Sequence, residues 1–276
     1  MSRHSHARRR CLSFVKMSGA GNDFILLETA PRRGLPDLAR RLCSRRTSVG
    51  ADGLLVLRRG DSGRPRVEYY NADGSRAFCG NGNRCAAWWM HQRGWAGRRF
   101  SLETLGGRVE AVVVGRERVL IRMPEAKNIR LGLRLSAAGR KWTVHALDTG
   151  VPHAVVETRR LEDFPVVEAG RALRRHKAFG PAGANVNFMR IETARGPLVR
   201  IRTYERGVED ETLGCGTGVT ACALCAHLLK GLRPPIRVHT RGGDVLSVNF
   251  RRGDGRFTDI RLEGPAKVTF LGEVKL

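Results

Sequence analysis

Two cysteines stand in the same short setting, Cys79-Gly80-Asn81-Gly82 and Cys215-Gly216-Thr217-Gly218, about half a chain apart. Each closes a strand-like apolar run and opens an alanine- and cysteine-rich stretch of helical character. At a helix start the free N–H groups and the dipole favour a thiolate, so both thiols are expected to ionise closer to neutrality than the usual ~8.5. The glycine that follows lets a substrate approach the backbone, whose N–H groups form an anion site. One such cysteine suits many enzymes. Two, set by duplication, suggest a carboxylate held between two helix starts with a thiol on each face. That arrangement fits inversion at a carbon α to a carboxylate, one thiolate taking the proton and the opposing thiol supplying another. The remaining cysteines, Cys11, Cys43, Cys85, Cys222 and Cys225, read as inert buried thiols. Cys222 and Cys225 have C-x-x-C spacing, but no further zinc ligands are close in sequence.

The flanks of the two cysteines also correspond. Tyr70-Asn71 and Asp73-Gly74-Ser75 precede the first, Tyr204-Glu205 and Asp210-Glu211-Thr212 the second, and Cys85-Ala86 and Cys222-Ala223 follow. A chain of 276 residues accommodates two such halves, each with a core. The first half alternates short strands (Phe14–Met17, Phe24–Leu27, Gly53–Leu57, then Val67, Tyr69 and Asn71) with a helix over Leu35–Arg46. A helix from Cys79 to about Arg93, closed by Gly94, and strands at Arg99–Glu103, Arg108–Val114 and Val119–Met123 complete it. The polar stretch from Pro124 to Gly139 reads as a crossover.

In the second half, Trp142–Leu147, Ala154–Glu157, Asn185–Ile191 and Val199–Tyr204 read as strands, with a helix over Val167–Arg175. The helix after Cys215 ends at Gly231 and is apolar nearly all round, so it should be enclosed by its sheet. Strands at Ile236–His239, Val245–Phe250, Thr258–Leu262 and Lys267–Val274 finish the chain. No βαβ alternation is evident. The expected fold is α+β, with two pseudo-symmetric domains, each a curved, mostly antiparallel sheet wrapped around a central helix, and the active site in the cleft between them. The expected divisions are a disordered basic tail at 1–11, halves at 12–124 and 125–266, and a strand at 267–276 returning to the first half.

No apolar run approaches the ~20 residues that cross a bilayer, and no apolar segment follows the basic residues 1–11, so neither a membrane span nor a secretory signal is expected. Seven cysteines without such a signal suit reduced thiols and a cytoplasmic setting. The net charge of +24 raises the question of nucleic acid. The arginines are scattered, however, and no recognised nucleic-acid motif accompanies them, so specific binding is not expected. The excess should favour small anionic substrates.

In order along the chain, several stretches resemble the diaminopimelate epimerase family. They are Gly19-Ala20-Gly21-Asn22-Asp23-Phe24, Gly50-Ala51-Asp52-Gly53, Asn71-Ala72-Asp73-Gly74-Ser75, Cys79-Gly80-Asn81-Gly82-Asn83-Arg84-Cys85, Pro152-His153, Asn185-Val186-Asn187-Phe188 and Glu205-Arg206-Gly207. The resemblance implies interconversion of LL- and meso-diaminopimelate without pyridoxal phosphate, any other cofactor or a metal, by a homodimer. It implies Cys79 and Cys215 as the acid–base pair, and a disulfide between them as an inactive form. The N–H groups of Gly80, Asn81, Gly216 and Thr217 would hold the reacting carboxylate. Asn22, Asn71, Asn185, Glu205 and Arg206 would bind the remaining ammonium and carboxylate groups, and His153 with Glu205 would fix the reacting amino group. Val151 stands where the family pattern usually has asparagine, and Gly53 where some members have glutamine. A racemase of another amino acid on the same scaffold, or a basic nucleic-acid-binding protein with an epimerase-like fold, are the competing readings.

Overall fold

Unbroken apolar runs mark the centre of the first sheet. Phe24-Ile25-Leu26-Leu27 and Leu54-Leu55-Val56-Leu57 are buried at every position, as strands covered on both faces must be. The computed structural model describes residues 11–60, 63–193 and 196–275. In it, Phe24, Leu26, Leu55 and Leu57 face one core, and Ile25, Leu27, Leu54 and Val56 face another.

The first half runs β1 (Cys11–Gly19), β2 (Asn22–Leu27), α1 (Leu35–Cys43), β3 (Gly53–Arg59), β4 (Pro65–Asn71), α2 (Gly80–Gln92), β5 (Arg99–Thr104), β6 (Gly107–Gly115) and β7 (Arg118–Arg122). The second runs β8 (Lys127–Ala137), β9 (Arg140–Asp148), β10 (Pro152–Glu157), α3 (Val166–Arg174), β11 (Asn185–Glu192), β12 (Leu198–Glu205), β13 (Asp210–Thr212), α4 (Gly216–Lys230), β14 (Ile236–His239), β15 (Val245–Gly253) and β16 (Arg256–Pro265). The last strand, β17 (Lys267–Lys275), leaves the second half and pairs antiparallel with β1.

The pairing order exposes the symmetry. From β17 the ladders pass through β1, β2, β3, β4, β5, β6 and β7, parallel only at β2–β3 and β4–β5. From β8 they pass through β9, β10, β11, β12, β14, β15 and β16, parallel only at β10–β11 and β12–β14. The two series have the same sequence of directions, and β7 pairs antiparallel with β16 to join them. α1 and α3 cover the outer faces with separate cores. α2 and α4 share the central core and touch each other. α4 is buried continuously from Gly218 to Ala226, which explains its lack of a polar face.

The α+β, two-half reading therefore holds, with local corrections. Each parallel ladder is bridged by a helical crossover, α1, α2, α3 or α4, so the expectation of no βαβ unit was wrong. The polar stretch from Pro124 to Gly139 is no plain crossover, since it contains β8. Its Ile129, Leu131, Leu133 and Leu135 alternate as a strand should, but positive φ at Asn128 and Gly132 shifts the ladder and masks the period. Cys11 is the exposed first residue of β1, not a buried thiol or part of a tail; residues 1–10 lie outside the described residues. α1 stops at Cys43, and β13 was not foreseen. Gly94 and Gly231 both have positive φ just beyond α2 and at the end of α4, as expected of helix stops. Among the described residues no helix is long and apolar enough to cross a membrane.

Candidate active site

Cys79 and Cys215 are the N-cap residues of α2 and α4, each in extended backbone conformation. The Gly82 N–H donates to the Cys79 Sγ at 3.3 Å, and Thr217 Oγ1 lies 3.4 Å from the Cys215 Sγ. Cys79 is half-buried and Cys215 is 7 % exposed. Neither thiol is acidic. Burial pushes Cys79 up to about 11 and Cys215 to about 12, and the neighbouring charge of Glu205 raises both further. The helix-start N–H groups oppose this without prevailing, so the expected near-neutral thiolates are not found. Cys79 also acts on the charge of Cys215, which puts the two sulfurs in one electrostatic site.

Glu205 ends β12, half-buried, and accepts from Thr212 Oγ1 at 3.0 Å. Burial shifts its carboxyl upward. The hairpin that carries it is braced by arginines. Arg202 makes a two-pronged contact with Glu211 at 2.7 and 2.6 Å, and Arg174 meets Glu209 at 2.7 Å. Next to Glu205, the Arg206 N–H donates to Asn185 Oδ1 at 2.8 Å. The Arg206 guanidinium makes no ion pair among the described residues.

His153 is buried at the start of β10. Asn187 donates through Nδ2 to Ala154 O at 3.2 Å, which orients that amide, and to His153 Nδ1 at 3.0 Å; Thr203 donates to its Oδ1 at 3.0 Å. His153 Nδ1 is thus the acceptor and the ring proton sits on Nε2, which has no partner among the described residues. Burial, then the Arg206 charge, push its pKa down to about 3, so the ring is neutral. A neutral imidazole donating from Nε2 suits a carboxylate oxygen or a sulfur. It does not suit an ammonium, the role that the family resemblance implied for it.

On the other side, Asn22 donates to Asp52 Oδ2 at 3.0 Å and accepts from Asn81 Nδ2 at 2.6 Å. Asn81 Oδ1 accepts in turn from Arg84 Nη2 at 2.8 Å. These side chains are engaged with one another. Asn71 ends β4 opposite Gly53 and gives its amide N–H to Ser75 Oγ at 2.9 Å. Tyr69, two residues earlier, lies so close to Gly53 that a Cβ there would sit 2.3 Å from its ring. The side chain of Val151 brings no polar group to the turn before His153; that turn is tied to the start of α4 by Thr149 Oγ1 donating to Thr217 O at 2.9 Å.

Besides the strand ladders, two loops of opposite halves pack closely together. A Cβ on Gly214 would lie 2.1 Å from Ala20 O, and one on Gly21 would lie 2.7 Å from Leu213 Cβ. Gly214→Ala therefore pushes backbone against backbone beside Cys215. It is expected to cost about 1–3 kcal/mol in a urea melt and to lower turnover; an unchanged midpoint and rate would contradict this close approach.

Sequence reading missed Asp52, Arg84 and Asn187 as members of these networks. Their signal was a polar or charged residue inside an otherwise buried run, as Asn187 and Arg84, both fully buried, illustrate.

Two helix-capping cysteines thus stand in like halves, with the half-buried Glu205 carboxylate acting on both. The same fold occurs in solved structures. A hydroxyproline epimerase from Agrobacterium vitis superposes with a TM-score of 0.71 at 18 % identity, covering 98 % of this chain and 94 % of that one. A PhzF-family phenazine biosynthesis protein from Bacillus anthracis gives 0.76 at 12 %, covering 97 % and 100 %. The sequence pattern of diaminopimelate epimerase matches residues 14–129 and 145–260. The diaminopimelate epimerase of Chlorobaculum tepidum is 41 % identical over 94 % of this chain and 100 % of its own length. That of Aquifex aeolicus is 39 % identical over 87 % and 90 %. The chain belongs to the diaminopimelate epimerase family and is an isomerase.

Proposed function

We propose that the chain interconverts LL- and meso-2,6-diaminopimelate, in lysine and peptidoglycan-precursor biosynthesis, by passing one α-proton between two thiols. The observation that carries this reading is the pair of capping cysteines, electrostatically linked, at the starts of two symmetry-related helices. One sulfur, as thiolate, takes the proton from the α-carbon and becomes a thiol. The electron pair left behind spreads onto the carboxylate, where N–H groups of Gly80, Asn81, Gly216 and Thr217 stabilise it. The opposing thiol then delivers its proton to the other face and becomes the thiolate. Charge has moved from one sulfur to the other, and no other reactant is consumed.

In this reading Glu205 receives the ammonium, supported by its half-buried carboxylate, and Arg206 with Asn185 receives the distal carboxylate. The unpaired Arg206 fork supports that role. His153 Nε2–H donates to a carboxylate oxygen. Asn22 acts through Asn81 more than by direct contact, and Asn71 offers its carbonyl oxygen. The halves 12–124 and 125–266 carry one cysteine each. We extend the proposal to a cytoplasmic homodimer. The exposed Phe270 and Leu271 on the edge strand β17 support self-association, and seven free cysteines support a reducing compartment.

Purified protein with reductant and no added cofactor is expected to move deuterium from D2O into the α-position of diaminopimelate. Exchange into another amino acid but not this one would overturn the substrate and keep the chemistry. No exchange, together with tight salt-sensitive binding to nucleic acid, would replace the enzyme reading.

A further inference from the structure

The fold repeats but one charge does not. Five residues after Cys79 stands Arg84; five after Cys215 stands Thr220. Both are fully buried. Thr220 caps its own helix turn, donating to Gly216 O at 3.0 Å. Arg84 carries a guanidinium into the core without an ion-pair partner among the described residues. Its Nη2 donates to Asn81 Oδ1 at 2.8 Å, its Nε reaches Pro265 O at 3.5 Å, and its Nη1 has no partner.

The site is shaped for this group. A Cβ on Gly264 of β16 would lie 3.0 Å from Arg84 Nε, so glycine leaves the slot that the fork fills. Gly264 pairs with Val119 across the β7–β16 seam, so Arg84 ties α2 to the strand that joins the two halves. The Asn81 amide that it grips lies against the other helix start: a Cβ on Gly216 would be 3.0 Å from Asn81 Oδ1. Burial pushes the Arg84 guanidinium down to about 10, which leaves it charged at neutral pH, and the groups acting on that charge are Cys85 of α2, the capping Cys79, Asp244 and Arg118. Asp244, the carboxylate among them, is itself paired with Lys267 at 3.5 Å. Cys79 also feels the Glu205 carboxylate, as Cys215 does. A buried cation lacking a carboxylate is costly to keep for stability alone.

We propose that Arg84 is a positioning residue that breaks the symmetry of the acid–base pair: it holds the two helix starts in register through Asn81, and its charge makes Cys79, not Cys215, the sulfur that carries the negative charge when one of the pair is ionised. This rests on the two-thiol reading.

The test follows iodoacetamide alkylation of each cysteine against pH by peptide mass spectrometry, beside kcat and thermal melting, for the wild type, Arg84→Met and Arg84→Lys. Because Cys79 is also the more exposed thiol, the pH midpoint is read and not the rate. In Arg84→Met the Cys79 midpoint is expected to rise by about one unit while Cys215 moves less. Turnover should fall about 10²-fold while Tm shifts by only a few degrees. Arg84→Lys should keep the Cys79 midpoint near wild type but still lose turnover, since a point charge does not reproduce the fork on Asn81 and Pro265. A folded Arg84→Met with the wild-type Cys79 midpoint overturns the proposal. If that variant does not fold, Arg84→Lys decides, and wild-type turnover there overturns the positioning role. Alkylation needs no substrate, so failure of the wild type to process diaminopimelate would be seen separately.

Discussion

Cys79→Ala and Cys215→Ala are each expected to lower epimerisation at least about 10³-fold, the scale of a lost general acid or base, while leaving opposite residual activities. With Cys215 gone, Cys79 can still remove and return the proton of whichever isomer presents it to that face. That isomer should exchange with D2O and keep its configuration. With Cys79 gone, Cys215 should do the same for the other isomer. In the wild type at early times, deuterium should enter product ahead of recovered substrate, because the delivered proton comes from a thiol that equilibrated with solvent. NMR of both isomer pools reads all three experiments. Epimerisation surviving in either variant, or both variants exchanging the same isomer, would mean that one group serves both faces. Loss of the Cys79 cap to Gly82 costs about 1 kcal/mol, whereas Cys215 makes no side-chain cap bond, so thermal melting should accompany each rate.

The cysteine pair was legible because its cues are local: spacing, the glycine after each sulfur, and an apolar helix behind it. The strands were legible for the same reason where they are buried on both faces, as Leu54 to Leu57 are. β8 was not, because an edge strand with one wet face and two positive-φ residues interrupts its own period. The electrostatics of the site were not legible either. Glu205, which raises both thiols, reaches Cys79 only through the tertiary fold. The His153 tautomer depends on Asn187, which sits on the neighbouring strand β11. Capping by N–H groups can be read from a motif, whereas the burial that outweighs it depends on every element packed around the helix start.

That balance makes a strong claim about pH. If helix-start donors governed the thiols, kcat/KM would level off near neutrality. With Cys79 held at about 11 and Cys215 at about 12, the productive form, one thiolate beside one thiol, is scarce at pH 7. It grows about tenfold per unit, so kcat/KM should climb about 10²-fold between pH 7 and 9. Measured by α-deuterium exchange at low substrate, a plateau by pH 8 would show that the free site stabilises its thiolate better than its burial allows. Stability runs the other way. The buried thiols of Cys43, Cys85 and Cys225 are each pushed up to about 12 by burial, against 9.0 when free. The folded state therefore holds these protons more tightly than the unfolded chain. Their contribution is complete below pH 9 and is lost as pH rises from there towards 12. Urea midpoints should accordingly be flat in this respect up to pH 9 and fall above it, over the range in which the catalytic thiols are still gaining charge.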